Sequence, residues 1–445
     1  MRCGRFLAAR RSACARRTRL GSLARLLIAA TCLSLLAAGL VVATSAGALS
    51  SQQSSFLTLA EQGAAKAQRA FKDDSHGIWN GHRNVPLKWY DERLHSGIRY
   101  PLATIWGAVP LFEALSAIAI ADKTSANRAA LDAFAEGAHP AANPPGKRHA
   151  ASGAITLYGG AESYWDPAMQ AFAPYPGDRG PANTWLDDNS WWGIAFMDAY
   201  RALGKPRFLR DAQDAFDFIA SRGWDSSGGG LWWNTAHTPG GQKSGEALAA
   251  GSLLGALLAT AWQSAAQTAS GAVSHSDQAT ALSDLHAVQK FLGWGDIHFA
   301  DSGGLYSRTQ GDPTPMPYVA GPEIEAKELL CKLPPAGNPY CAEAIRLASA
   351  AYQRFGYRLN MGPQFDAIYL HLMLVYGQQT GDDRWAPMAL NFANDAEANS
   401  RDPSTGLFLK AWDGSNMSAH QGEPNMLRTD AATVELFSWL AVDGP

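Results

Sequence analysis

Leu203-Gly204-Lys205-Pro206-Arg207-Phe208 joins two helical segments through one glycine turn. Upstream of it, Trp191, Trp192, Ala195, Phe196, Ala199, Tyr200 and Leu203 recur at spacings of three and four, the mark of a helix with one apolar face. Gly204 closes that helix and a second begins two residues later. A turn this short lays the two helices antiparallel. Thr380-Gly381-Asp382-Asp383-Arg384-Trp385 repeats the device.

The same periodicity predicts helices over 54–71, 101–121, 125–137, 188–203, 206–221, 243–269, 276–292, 322–331, 341–356, 363–380, 384–398 and 427–441, and strand-like alternation is scarce. A second repeat separates the hairpins. It reads Asp225-Ser-Ser-Gly-Gly-Gly-Leu231-Trp232-Trp233, then Asp301-Ser-Gly-Gly-Leu305-Tyr306, then Asp402-Pro-Ser-Thr-Gly406-Leu407-Phe408, with a looser copy at Asp74-Ser-His-Gly77-Ile78-Trp79. Each joins one helix pair to the next through a Gly turn and an aromatic extended stretch. Helix hairpins alternating with longer aromatic loops at one end predict an all-α fold, an α/α toroid whose loops roof a central cleft, as a single domain over 49–445.

Composition agrees with a large packed core: 445 residues, 47% hydrophobic and 17% charged, with 15 Trp. Residues 1–48 stand apart, with eight Arg, no acid, and the uncharged run Leu26 to Val42 ending near Ala46-Gly47-Ala48. That pattern predicts a secretory leader cleaved after Ala48, with a retained N-terminal anchor as the alternative. Residues 49–445 then carry 29 Lys and Arg against 40 Asp and Glu, a net charge of −11 that speaks against a nucleic-acid partner. In an exported chain, Cys331 and Cys341 are the two cysteines left, and they are expected to bridge across a Pro/Gly loop. No zinc or calcium motif occurs, so neither a metal nor another cofactor is expected. A secreted monomer without lasting membrane insertion is the expectation.

The Gly loops have a plain reading, in which glycine supplies positive φ and the aromatic packs over helix ends. Trp232 and Trp233 are adjacent, however, so in an extended segment they face opposite ways and one can pack while the other meets a ligand. Aromatic faces beside carboxylates and amides complement the C–H faces and hydroxyls of a pyranose, which points to a sugar. Asn183-Thr184-Trp185-Leu186-Asp187-Asp188-Asn189-Ser190 puts two carboxylates at the entrance to a helix. One of them could cap it and the other gain from its dipole. Alternatively one residue stays outside helical geometry and both address one cleft. Two carboxylates in a sugar cleft are the minimum for glycoside hydrolysis.

Asp187-Asp188-Asn189-Ser190-Trp191-Trp192-Gly193-Ile194-Ala195 resembles the consecutive-aspartate motif of glycoside hydrolase family 76, the endo-acting α-1,6-mannanases. Gly228-Gly229-Gly230-Leu231-Trp232-Trp233-Asn234, followed by Lys243, resembles that family's Gly-Gly-Leu-Trp-Trp loop, and Gln364-Phe365-Asp366-Ala367-Ile368-Tyr369-Leu370 its late aromatic helix. The resemblance covers most of 150–445. It implies an (α/α)6 toroid and a retaining mechanism with Asp187 as nucleophile and Asp188 as general acid/base. An α-mannan-like polysaccharide is the implied partner, with Trp185, Asn189, Trp232, Trp233, Lys243 and Tyr306 as substrate contacts. The chain departs from the family pattern at Ser244-Gly245-Glu246, at Asp366-Ala367 and at His371, and residues 123–184 are longer than the family's.

Several of these residues have structural readings. Trp191 or Trp192 is expected in the core, Lys243 could cap a helix start, Gln364 and Phe365 read as helix-start structure, and His371 as a satisfied core histidine. Glu162, Tyr164, Trp165 and Asp166 could form a subsite or a packed loop. At the level of function, the competing readings are a carbohydrate-binding or wall-scaffold protein without turnover, a transglycosylase, and a sugar epimerase on the same toroid.

Overall fold

The computed structural model describes residues 49–72, 78–79, 82–83, 103, 105–138, 162–166, 171–174, 184–237, 242–266, 274–333, 338–359, 361–415 and 426–445. The expected leader at 1–48 and the looser Gly loop at 74–77 lie outside these residues. Residues Leu49–Pro445 group as one unit.

Among the described residues there are twelve α-helices: α1 (Ser51–Phe71), α2 (Ile105–Ala121), α3 (Ser125–Ala138), α4 (Leu186–Leu203), α5 (Pro206–Phe218), α6 (Gly245–Ala266), α7 (His275–His298), α8 (Pro317–Lys332), α9 (Tyr340–Arg354), α10 (Pro363–Thr380), α11 (Trp385–Asn399) and α12 (Leu427–Asp443). The even-numbered helices form a closed inner ring in which α2 packs on α4, α4 on α6, α6 on α8, α8 on α10, α10 on α12 and α12 back on α2. The odd-numbered helices lie outside, α5 against α4, α7 against α6, α9 against α8 and α1 against α12, with α3 on α2 and α11 on α10 and α12. This is the expected (α/α)6 toroid.

The division follows from sequence. Inner helices touch neighbours on every side and are apolar nearly all round, whereas outer helices bury one stripe. In α6 every residue from Gly245 to Ala256 is buried, while α5 buries Phe208, Leu209, Ala212, Ala215 and Phe216 and turns Arg210 outward. Apolarity and length would let α6 cross a membrane, and its burial within the ring accounts for both.

Gly204 ends α4 in the left-handed conformation at φ 69°, and Pro206 opens α5 at its first turn, where no partner for an N–H is needed. Gly381 repeats the cap between α10 and α11 at φ 76°. The Gly loops also share one geometry. Asp225 N–H bonds Gly230 O at 3.0 Å, Asp301 N–H bonds Leu305 O at 2.9 Å, and Asp402 N–H bonds Leu407 O at 2.8 Å. In each, the Asp side chain accepts from the backbone two residues on, at Ser227, Gly303 and Ser404. These turns carry the chain from the end of an outer helix toward the start of the next inner one.

A π-helical turn (Ile219–Gly223) follows α5, and there are three antiparallel hairpins among the described residues: β1 (Ile78–Trp79) with β2 (His82–Arg83), β3 (Glu162–Asp166) with β4 (Ala171–Pro174), and β5 (Ser307–Thr309) with β6 (Asp312–Pro315). Cys331 at the end of α8 is bridged to Cys341 at the start of α9, as expected. Most helix limits fall within a few residues of expectation, and two differ by more. α7 runs through Gly293 to His298. α8 begins at Pro317, because that proline serves as its first residue, and Pro322 is tolerated inside at the cost of one backbone bond.

Candidate active site

The inner helices present their N-terminal ends to one another, and the site is built there. α4 starts at Leu186 with Trp185 as its cap residue, and no side chain caps it. Asp187 and Asp188 are the second and third helical residues, so neither is the N-cap and neither lies outside helical geometry, contrary to both local readings of the pair. Their buried positions come instead from the loop above. Leu186 N–H bonds Trp233 O at 3.0 Å, Thr235 N–H bonds Thr184 O at 3.1 Å, and Trp233 N–H bonds Gln242 O at 3.0 Å. The Trp-Trp segment is thus clamped between 184–186 and 242–244, and the latter pairs onward through Ser244 with Thr309 of β5. Gly245, at the junction with α6, has to be glycine because a Cβ there would stand 2.0 Å from Ser307 O, a backbone atom that no rotamer can move.

Asp187 and Asp188 are each only 3% exposed. The Tyr318 hydroxyl, from the first turn of α8, lies 3.3 Å from Asp187 Oδ2 and itself accepts from Trp191 Nε1 at 2.5 Å. Burial, and after it the charges of Asp187, Glu246 and Asp188, push the Tyr318 hydroxyl well above the ordinary phenol range, so it stays a proton donor. Burial pushes Asp187 up to about 6, while its own N–H, that of Asp188, the Trp233 indole and the Tyr318 hydroxyl pull the other way. The dipole of the first turn of α4 also favours the carboxylate form.

A third acid stands close by. Glu246, in the first turn of α6, is 4% exposed and accepts from Arg308 Nε at 2.6 Å. Burial and the charge of Asp187 push Glu246 up to about 8 against the pull of that guanidinium. Arg308 also lies over the Trp233 ring at 5.6 Å, and Trp233 meets Trp185 edge-on at 4.7 Å. Beside Tyr318, Trp106 of α2 and Phe365 of α10 complete an aromatic wall, with centroids 5.1 to 5.6 Å apart. Trp106, Trp185, Trp233 and Phe365 are all half-buried, which leaves ring surface open above the acids.

The expected site residues divide. Asp187, Asp188, Trp185 and Trp233 come together. Asn189 is fully buried and donates to Trp185 O at 2.8 Å, so it steadies the loop from below. Trp232 faces away from Trp233, as adjacent extended residues must, and packs on His237 at 4.6 Å. Lys243 follows Trp232: its ammonium pairs with Asp225 at 2.7 Å and sits 3.5 Å over the Trp232 ring, where it fastens the Gly loop. Tyr306 is 1% exposed, with its hydroxyl donating to Asp296 at 2.7 Å, and belongs to the core between outer helix and ring. Trp191 and Trp192 are both core residues. Glu162, Tyr164, Trp165 and Asp166 lie on β3, and their side chains are outside the described structure. Tyr318, Glu246, Arg308 and Trp106 join the site without a motif in the sequence that marks them as site residues. Of these, Glu246 was visible as a departure from the family pattern.

Comparisons with known proteins follow the same line. Residues 161–284 match the family model described as glycosyl hydrolase family 76. No curated protein matches. Among solved structures, a family 76 α-mannanase from Bacteroides thetaiotaomicron is 17% identical, with a TM-score of 0.64 over 87% of this chain and 95% of that one. An inactive variant of the α-1,6-mannanase from Salegentibacter sp. HEL1_6, with two consecutive aspartates replaced and α-1,6-mannotetrose bound, is 15% identical, with a TM-score of 0.60 over 87% and 99%. Dfg5 from Chaetomium thermophilum, in complex with glucosamine, is 14% identical, with a TM-score of 0.60 over 88% and 91%. These likenesses show the fold. The family match spans the acidic pair and the Gly-Gly-Leu-Trp-Trp loop, and over that stretch the chain is similar to glycosyl hydrolase family 76.

Proposed function

We propose that this protein is a secreted, retaining glycoside hydrolase that cleaves within α-1,6-linked mannan. The observation that carries the reading is the buried pair Asp187 and Asp188 at the start of α4, with the Tyr318 hydroxyl against Asp187. In this reading Asp187 Oδ attacks the anomeric carbon while Asp188 passes its proton to the departing glycosidic oxygen. The bond to the leaving sugar breaks and a glycosyl ester forms on Asp187. Asp188, now ionised, takes a proton from water, which releases the sugar with its original anomeric configuration. Adjacent residues on one helix turn suit the short carboxyl separation of this mechanism, about 5–5.5 Å, better than the wider gap that admits an inverting water. Trp185, Trp233, Trp106 and Phe365 offer stacking faces to successive pyranose rings.

The family match, and the replacement of two consecutive aspartates in the inactive mannotetrose-bound relative, support the assignment of the pair. Secretion rests on the leader-like segment 1–48 and on a folded unit that starts at Leu49, with Ser50 capping α1.

Incubation with linear α-1,6-mannan and a panel of other glycans, with products read by size and anomeric configuration, tests the proposal. Early loss of polymer length with retained configuration is expected. Products longer than the starting oligosaccharide would mark a transglycosylase. An unchanged α-1,6-mannan beside a digested glycan of another linkage would overturn the substrate, and inverted products would overturn the mechanism.

A further inference from the structure

Beneath the cleft, inside the ring, three titratable side chains meet that the reaction does not use. Glu113 of α2, His371 of α10 and Glu435 of α12 each lie eight residues beyond the first residue of their helix, about 12 Å down from the face that holds Asp187. They are 1%, 3% and 0% exposed. One nitrogen and two carboxylate oxygens fall within 4.8 Å of one another, with His371 Nδ1 at 3.3 Å from Glu113 Oε2 and 3.6 Å from Glu435 Oε1.

Apart from the contact of the Glu113 and Glu435 carboxyl groups with each other, none of these atoms has a hydrogen-bond partner among the described residues. Both oxygens of Glu113, both of Glu435 and His371 Nδ1 are buried with no other donor or acceptor paired to them. No lysine or arginine pairs with either carboxylate there, and the nearby Asp198 adds a further acid that acts on both. The imidazole is held flat against Trp439, 3.6 Å between centroids, with Nδ1 turned to the carboxylates. Two carboxylates buried without a cation are costly. A proton shared between them would neutralise one charge and leave the nitrogen idle.

A small divalent cation meets all three demands. Two ligands each about 2.0–2.1 Å from a tetrahedral ion lie about 3.3–3.4 Å apart, close to the separations seen from His371 to the two glutamates. One imidazole with two carboxylates is a donor set for first-row ions such as zinc or manganese, and not for calcium or magnesium, which take oxygen alone. We propose that Glu113, His371 and Glu435 hold one divalent first-row transition ion as a structural centre that ties α2, α10 and α12 together inside the ring.

Because the site is enclosed, the ion must enter as the chain folds. The full chain is therefore produced in zinc-replete, manganese-replete and chelator-treated media, dialysed against chelator, and analysed for metal per chain and for Tm. About one zinc or manganese per folded chain is expected, with a higher Tm than the chelator-grown protein, and Glu435→Gln should retain at least about tenfold less metal. Folded wild-type protein without metal from either replete medium, or a Glu435→Gln variant that keeps its metal, overturns the proposal. Should that variant fail to fold, X-ray absorption at the metal edge of the wild type decides. One imidazole among oxygen ligands supports the site, and two or more imidazoles refute it.

Discussion

The Tyr318 hydroxyl stands 3.3 Å from Asp187 Oδ2, although 131 residues separate the two in sequence. It gives Asp187 a neutral donor that cannot compete as a base, because burial and the neighbouring acids keep the phenol protonated.

Tyr318→Phe removes that donor and leaves Trp191 Nε1 buried without its acceptor. A 3.3 Å contact is long for a hydroxyl, so kcat/KM should fall only about tenfold, and stability by about 1–3 kcal/mol for the orphaned indole. The acid limb of the pH profile should move upward, since a donor to the charged form lowers a carboxyl's pKa. An unmoved limb would remove Tyr318 from the description of the site.

With Asp187 raised to about 6, kcat/KM should fall as pH drops through about 6, where the nucleophile takes up a proton. The effect on stability has the opposite sense. An acid whose folded pKa lies above its unfolded value contributes stability at low pH and loses it as pH rises through the folded value, because ionising the buried group is unfavourable. Asp187→Asn should therefore be inactive and yet more stable at pH 8, by up to about 3 kcal/mol. Denaturant melts at pH 4 and pH 8 check the sign, and the gain should vanish at the lower pH.

Asp188→Ala and Asp187→Asn should differ in kind. The former should keep slow turnover on an aryl glycoside whose leaving group needs no proton, and the latter should form no glycosyl-enzyme on any substrate. Mass spectrometry of the protein trapped with a slow substrate separates the two. A glycosyl adduct on the Asp187→Asn protein would move the nucleophile elsewhere.

Lys243→Met should lower Tm while leaving KM for mannan oligosaccharides unchanged, because the ammonium is occupied by Asp225 and the Trp232 ring. A raised KM with an unchanged Tm would return Lys243 to the substrate.

Reduction of the Cys331–Cys341 bridge should cost about 3 kcal/mol, the entropy of reopening a loop of about ten residues, and alkylation without reductant should label neither thiol.

Much of this protein is legible in its sequence. Gly204 and Gly381 mark tight helix hairpins because only a residue free to adopt positive φ closes a helix so abruptly, and the spacing of apolar residues tells the helices apart from the Gly loops. Asp187 and Asp188 were visible because adjacency, helix start and neighbouring tryptophans are all local features. Tyr318 was not. The prolines at 317 and 322 made either one a possible helix start, and only packing of α8 in the ring extends the helix back to Pro317 and turns Tyr318 toward a carboxylate on another helix. Glu246 and Arg308 are likewise joined by the pairing of Ser244 with Thr309, a contact that no spacing rule encodes. Lys243 and Tyr306 are taken up by Asp225 and Asp296 for the converse reason, since local sequence cannot say which partner claims a polar tip first. Sequence periodicity determined the elements and placed the acidic pair. Closure of six inner helices into a ring decided which distant side chains share one low-dielectric space, because that proximity is a property of the tertiary fold alone.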